Sequence, residues 1–352
     1  MKYYLISIFA LFFLISCNPD PDTIIPNQKS YGNGLYILSP NDVHFYDLSN
    51  NDIKHNIFSL VNSSSLSNSS SLKSYSDNIF IVTKNNFHVV DAETFQEEKK
   101  IQGFSNASEC EYAKNNRVYI SDIDESEIKV VDLISNEVSA NIKTGTNVSP
   151  TDIVLSWNRA FIANSGNDES YDSTIISIDI QDGQVYMNDF AGSIIVEKNP
   201  VSMIHDGSLY VLCNGGYNEN NLNNFDESSM CIVGAGSLNL QSTIPLGLDN
   251  ADNLIINKAK TKFYLTSEQG VYFLFTGSLN KTLVTDKKRP TILEINRESF
   301  QNTDTTSIIV DFLYMNDRDN ENYIYKYNLF LNEFVDSIQI NDKVIDIEFH
   351  NN

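Results

Sequence analysis

The tripeptide Asp-Glu-Ser occurs three times, as Asp124-Glu125-Ser126, Asp168-Glu169-Ser170 and Asp226-Glu227-Ser228. Carboxylate and hydroxyl oxygens gathered from separate loops are hard ligands of the kind that hold Ca²⁺. Tyr171, Tyr217 and Phe225 lie beside them, and aromatic faces next to a few polar groups make a small-molecule site. Arg318, in the segment 316–322, adds a cation to the candidate set. Against this reading, any polar loop of an acidic chain contains Asp, Glu and Ser. No Asp-x-Asp-x-Asp-Gly loop is present to specify a Ca²⁺ site.

A second group of carboxylates, Glu109, Glu111, Asp152 and Asp252, falls on strands rather than loops. Carboxylates converging from several strands would suit a metal-dependent hydrolase such as a lactonase. No Gly-x-Ser-x-Gly elbow, P-loop or His-Glu-x-x-His motif supports catalysis. His44 and His88 stand three residues before Asp47 and Asp91, so repetition accounts for them. His55, His205 and His350 share no spacing. The residues favour a binding protein without a resident cofactor over an enzyme.

The elements that must position these groups are set by a repeat. An apolar alternating run ends in a polar turn at Asp47, Asp91, Asp132 and Asp179, in degraded form at Gly236 and Gly277, and again at Asn328. The positions 47, 91, 132, 179, 236, 277 and 328 give steps of 44, 41, 47, 57, 41 and 51 residues. That period in a strand-rich chain predicts an all-β, seven-bladed propeller with four strands, A to D, in each blade. The repeated Asp is expected to bind turn N–H groups. Blade one lacks an A strand of its own, since Gly34-Leu35-Tyr36-Ile37-Leu38 already reads as strand B. The unassigned run Val344 to Phe349 is expected to supply it and close the ring. Residues 31–352 then form one propeller.

B–C loops and D–A links lie on one face of such a ring, which we call the loop face. A–B and C–D turns lie on the other, the turn face. B–C insertions fall at 121–127, 164–173, 214–229 and 316–322, in blades three, four, five and seven, and insertions gathered on one face mark a binding face. On the turn face only 297–307 is long. Trp157, in an A–B turn, is expected to pack between blades.

Lys2 and the apolar run Leu5 to Ile15 precede Leu14-Ile15-Ser16-Cys17, a lipobox pattern. Residues 1–16 read as a lipoprotein signal peptide and Cys17 as the lipidated residue. Residues 17–30, with three prolines, read as a tether. A lipid chain anchors a protein without spanning the membrane. The balance of 24 basic against 46 acidic residues, −22 overall, excludes nucleic acid and anionic lipid as electrostatic partners. Cys110, Cys213 and Cys231 show no metal spacing. Cys213 and Cys231 are placed either for a cross-strand disulfide or as separate buried thiols.

The strand–turn–Val-x-Val-Asp pattern over about residues 31–350 resembles the extracytoplasmic propellers called YVTN or YncE-like. The lipobox and short tether make it more similar to the lipoprotein branch with degenerate repeats in Gram-negative outer membranes. The resemblance implies an outer-membrane, lipid-anchored protein, displayed on the cell surface or facing the periplasm. It implies capture of a small-molecule ligand, or docking on a partner such as a TonB-dependent transporter. A scaffold of cell-envelope complexes is the alternative reading. No binding residue of that family is matched in this sequence.

Overall fold

Five strand-B runs, among them Ile79-Phe80-Ile81-Val82 and Ala160-Phe161-Ile162-Ala163, are apolar at nearly every position, which is the pattern of a strand buried on both faces. A computed structural model of the chain shows why. It describes residues 31–166, 171–180, 189–218, 221–303 and 306–351, with backbone alone at 189–190, 217–218, 221–225, 301–303 and 306. The signal peptide, Cys17 and the tether lie outside the described residues. The propeller has seven four-stranded antiparallel sheets.

Blade two shows the plan: Ser69–Tyr75, Asn78–Thr83, Asn86–Asp91 and Glu97–Gln102 pair in that order. The inner strands of blades three to seven are Ala107–Tyr112, Ser149–Ser156, Pro200–Asp206, Asp252–Ile256 and Leu293–Thr303. In blade one the inner strand is Asp346–His350, which pairs antiparallel with Gly34–Leu38 from the other end of the chain. The ring therefore closes as the sequence implies.

Alternation along strand B divides its side chains between two interfaces. Ile79 and Ile81 pack with blade one, whereas Phe80 and Val82 pack with blade three. Leu35 and Ile37 likewise meet blade seven, while Tyr36 and Leu38 meet blade two. Among the described residues the core is seven apolar clusters, each between adjacent blades. Outer strands such as Glu97–Gln102 are mostly open to solvent.

The turn chemistry follows the repeat in part. Asp47 accepts from Ser49 N at 2.9 Å, Asp91 from Thr94 N at 2.7 Å, and Asp132 from Ile134 N at 2.7 Å. Asn328 does the same for Phe330 N and Leu331 N, both at 2.9 Å. Asp179 pairs with Arg159 Nε at 3.2 Å, and the turn after it, from residue 181, lies outside the described residues.

Three features depart from expectation. The described residues of the long A–B segment 297–307 are strand. Strands Leu293–Thr303 and Thr306–Met315 simply run on beyond the sheet as a longer hairpin. The insertion of blade five contains its own hairpin, Gly216–Asn218 against Asn221–Asp226. Trp157 does not pack between blades: it is 89% exposed, because a left-handed turn residue (φ 52°) points it outward. The one helix among the described residues, Ile57–Asn62, links blades one and two. Cys213 and Cys231 are buried free thiols, not a disulfide. The hydrogen bond between them holds the Cys231 thiol down at about 7 and pushes Cys213 up.

Ile347 fills the cluster between blades one and seven from the closing strand. Ile347→Ala should cost about 2–4 kcal/mol in chemical denaturation. Val335→Ala, on an exposed outer strand, should stay within about 0.5 kcal/mol.

Candidate functional site

On the loop face, two of the Asp-Glu-Ser copies are anchored by their serine, and Ser170 of the third lies outside the described residues. Ser126 is buried, donates to Val148 O at 2.7 Å and accepts from Val148 N at 3.2 Å. Ser228 is buried, donates to Asn214 O at 3.0 Å and accepts from Ala251 N at 2.9 Å. Each ties the end of a B–C loop to neighbouring loop-face backbone, at the following D–A link. The acidic pair before it is left at the surface. Asp124 accepts from Asn106 Nδ2 at 2.9 Å and Glu125 from Ser105 Oγ at 2.7 Å, so both are fastened to the preceding link. Asp168 and Glu169 lie outside the described residues, as do the side chains of Tyr217 and Phe225. Glu227 is exposed.

The structure joins Tyr171 to Asp226 through a residue that the sequence does not advertise. Lys198, in the link between blades four and five, has its ammonium 2.8 Å from Asp226 Oδ2 and 5.4 Å from the Tyr171 ring centre. The next residue, Asn199, accepts from Gly166 N at 3.0 Å through its side chain and from Asn214 N at 3.0 Å through its carbonyl. Gly215 and Gly216 make the approach possible. Both have positive φ, and a Cβ on Gly216 would come 2.7 Å from the Tyr171 ring. An open cavity of about 450 Å³ lies beside this junction, lined in part by Ser149, Ser165, Asn199 and Asn214. A wider groove of about 840 Å³ runs from Asp124 and Glu125 past Lys143 to Asp172 and Thr174. Arg318 belongs to neither. It pairs with Glu268 of blade six, within a charge network that includes Lys288–Asp317 at 2.9 Å and Arg289–Asp319 at 2.6 Å. The candidate set is thus divided among three parts of the rim.

The axis of the ring holds the densest charge. Glu109, Glu111, Asp152 and Asp252 all line a central cavity of about 440 Å³. Glu294, Asp346, Glu348 and the lone cation Lys73 join them. These four were missed because only the register of the inner strands assembles them. For Glu294 and Asp346 the signal was a polar residue just before an apolar one that packs between blades, as also in Ser71-Leu72, Glu109-Cys110 and Asp152-Ile153.

Most inner strands carry a register irregularity at or near this point, and side chains take up N–H groups there. Asp346 accepts from Ile347 N at 2.9 Å and, in the next blade, from Leu72 N at 2.9 Å. Asp152 accepts from Ile153 N at 2.7 Å and from Met203 N of the next blade at 2.6 Å. Ser202 and Asn253 accept from Leu254 N and Leu293 N, each at 3.1 Å. Among the described residues no three Asp, Glu, His or Cys side chains come close enough together to hold a metal ion. None of the five histidines lines the cavity.

Burial raises the axial carboxyls. It lifts Asp152 and Glu294 to about 7, and Asp346 and Glu348 to about 8, with neighbouring carboxylates adding to the effect. Burial opposes the charge on Lys73, but Glu109, Glu111 and Glu348 overcome it and hold the ammonium well above its usual range. Lys73 pairs with Glu111 at 3.5 Å.

No protein-family model and no curated protein matches the chain. Solved structures do share its fold. A quinonprotein alcohol dehydrogenase-like protein from Bacteroides thetaiotaomicron superposes with a TM-score of 0.66 at 13% identity, covering 92% of this chain and 79% of that one. A protein provisionally described as a 6-phosphogluconolactonase, from Bacteroides uniformis, gives 0.65 at 12% identity, covering 91% and 99%. The hydrazine synthase of Kuenenia stuttgartiensis gives 0.59 at 13% identity, covering 77% and 85%. At such identities the likeness shows the propeller fold alone.

The axial carboxyls predict an unusual pH response. Their folded values lie above the ordinary carboxylate range, so the folded state binds more protons than the unfolded one between about pH 4 and 8. The stability they contribute is full below about pH 4 and is lost as pH rises through 7–8. Glu348→Gln and Glu294→Gln keep the acceptor oxygen for Ser74 N and Ile295 N. Each should gain stability relative to wild type at pH 8.5 and lose that advantage by pH 5, as read from urea midpoints. A difference independent of pH would contradict the assignment.

Proposed function

We propose that this chain is a non-catalytic, extracytoplasmic binding propeller of the YncE-like lipoprotein kind, held at the outer membrane by a lipid on Cys17 and displayed on the cell surface. It captures a small-molecule ligand on the loop face at blades three to five. The observation that carries this reading is the construction of that rim. Blade five spends an extra hairpin there, and Lys198, Asn199 and the two glycines lock it against blade four. The acidic rim suits a cationic or polar ligand, with Ca²⁺ as an accessory ion rather than a catalyst. A TonB-dependent transporter is the outer-membrane partner to which a captured ligand would be passed.

One observation favours a second reading, a metal-dependent hydrolase: the axial cavity is rich in carboxylates, and one neighbour in fold is described as a lactonase. Weighing against it, Asp152 and Asp346 already spend both carboxylate oxygens on backbone N–H groups. Turnover of lactone or ester panels by the metal-supplemented protein, abolished by Glu111→Gln, would favour the hydrolase.

The binding reading is tested by replacing 217–225 with a short Gly-Ser turn in one variant and combining Lys198→Ala with Asp226→Asn in another. Affinity purification from solubilised outer membranes should recover a small molecule or transporter with the wild type. Recovery should fall about tenfold or more with each variant, as for loss of a central contact. Equal recovery from folded variants would count against the loop face.

A further inference from the structure

The side chains most exposed for their hydrophobicity are not spread evenly over the ring. Trp157 is 89% exposed, Phe330 79% and Ile134 75%, and all three sit in A–B or C–D turns. Leu331, 55% exposed, is beside Phe330. The overlong hairpin of blade seven carries Phe300 and Ile309, 46% and 61% exposed, past the end of the sheet on the same side. Ile195, 74% exposed, and Leu60, 66%, lie toward the loop face, but the larger group is gathered on the turn face, and several exposed apolar residues on one face mark a contact surface.

The chain joins the ring on this same face. Gly32 N donates to Ala92 O at 2.9 Å and Tyr31 N to Glu93 O at 2.8 Å, fastening residues 31–32 to the C–D turn of blade two. The Tyr31 ring is buried against Phe45 and Phe95. Cys17 is 31 − 17 = 14 residues upstream. A flexible segment of that length spans about 20 Å on average, close to the height of one blade of six-residue strands, also about 20 Å.

We propose that the turn face rests on a lipid bilayer, with Trp157, Ile134, Phe330, Leu331 and the blade-seven hairpin entering the headgroup region. This inference rests on the lipid-anchor reading above. A short tether from a lipidated Cys17 brings this face, not the loop face, to the membrane. Tryptophan and phenylalanine at turn tips suit the interface, where an apolar body meets polar surroundings. The turns also carry Asp47, Asp91 and Asp132, and the whole chain is at −22, so the contact is apolar rather than electrostatic. It should be indifferent to salt and to anionic lipid. Seated this way, the loop face points away from the bilayer. That orientation leaves the loop face open to a ligand arriving from solution.

Trp157 is the only tryptophan, so it reports on the contact directly. The full-length lipidated protein is reconstituted in phosphatidylcholine vesicles at high lipid-to-protein ratio. Its emission should shift to the blue relative to the unlipidated Cys17→Ser protein, and lipids brominated near the headgroup should quench it. Phe330→Ser with Leu331→Ser, both surface changes, should remove about half or more of that quenching while the protein stays attached. The same quenching at low and high ionic strength, and with phosphatidylglycerol added, is expected. Attached protein whose Trp157 remains water-like overturns the docking and leaves the anchor reading intact. A blue shift that vanishes on dilution among vesicles assigns the face to a second copy and also overturns it. Full-length protein that does not stay with vesicles removes both the anchor and the docking.

Discussion

Seven inner strands converge on one axis, and strand B gives them no complete set of partners there. That is the constraint on which the ring depends. A buried N–H left without an acceptor costs about 1–3 kcal/mol, and the inner strands of blades two to six are interrupted there by a register irregularity. Asp346, Asp152, Ser202 and Asn253 accept from the next blade, and the two aspartates also accept from their own strand. The consequence is an axis crowded with carboxylates, in which a single ammonium, Lys73, lowers the repulsion. The acidity of the cavity is thus explained by architecture before any ligand is invoked.

Outside the axis, cohesion is apolar and strictly pairwise. Each strand B sends alternate side chains to opposite neighbours, so no blade has a core of its own. Tyr36 illustrates the result: its ring stacks on Phe95 of the next blade at 5.5 Å and its hydroxyl donates to Ala92 O at 2.7 Å. A blade removed from its neighbours would expose both faces at once. Stability therefore belongs to the ring rather than to the repeat.

The fold was legible because its determinants are local and periodic. Strand B is an unbroken apolar run, the turn Asp or Asn sits at the end of strand C, and the orphan strand near Val344 had one vacancy to fill. The site was less legible because its determinants are neither. Lys198 matters only because a link places it between Tyr171 and Asp226. Glu294, Asp346 and Glu348 are ordinary strand residues until register turns them inward. The repeated Asp-Glu-Ser drew attention to its acids, whereas in two of its copies the anchoring group is the buried hydroxyl of Ser126 or Ser228. Trp157 was misplaced for a similar reason: a large aromatic side chain suggests burial, and only the left-handed backbone at that turn reveals otherwise.

The pairing of Gly34–Leu38 with Asp346–His350 also imposes an order on biogenesis. The first strand of the ring is made at the start of synthesis and meets its inner partner only when almost the whole chain has emerged. Until then blade one has an open edge facing the axis, and blade seven lacks the neighbour that would cover Phe312, Tyr314 and Ile324. A chain interrupted anywhere along its length keeps both defects, presenting unpaired backbone and apolar surface to proteases. The joint between the two ends thus acts as a completeness check, separating finished molecules from fragments by the single event of closure.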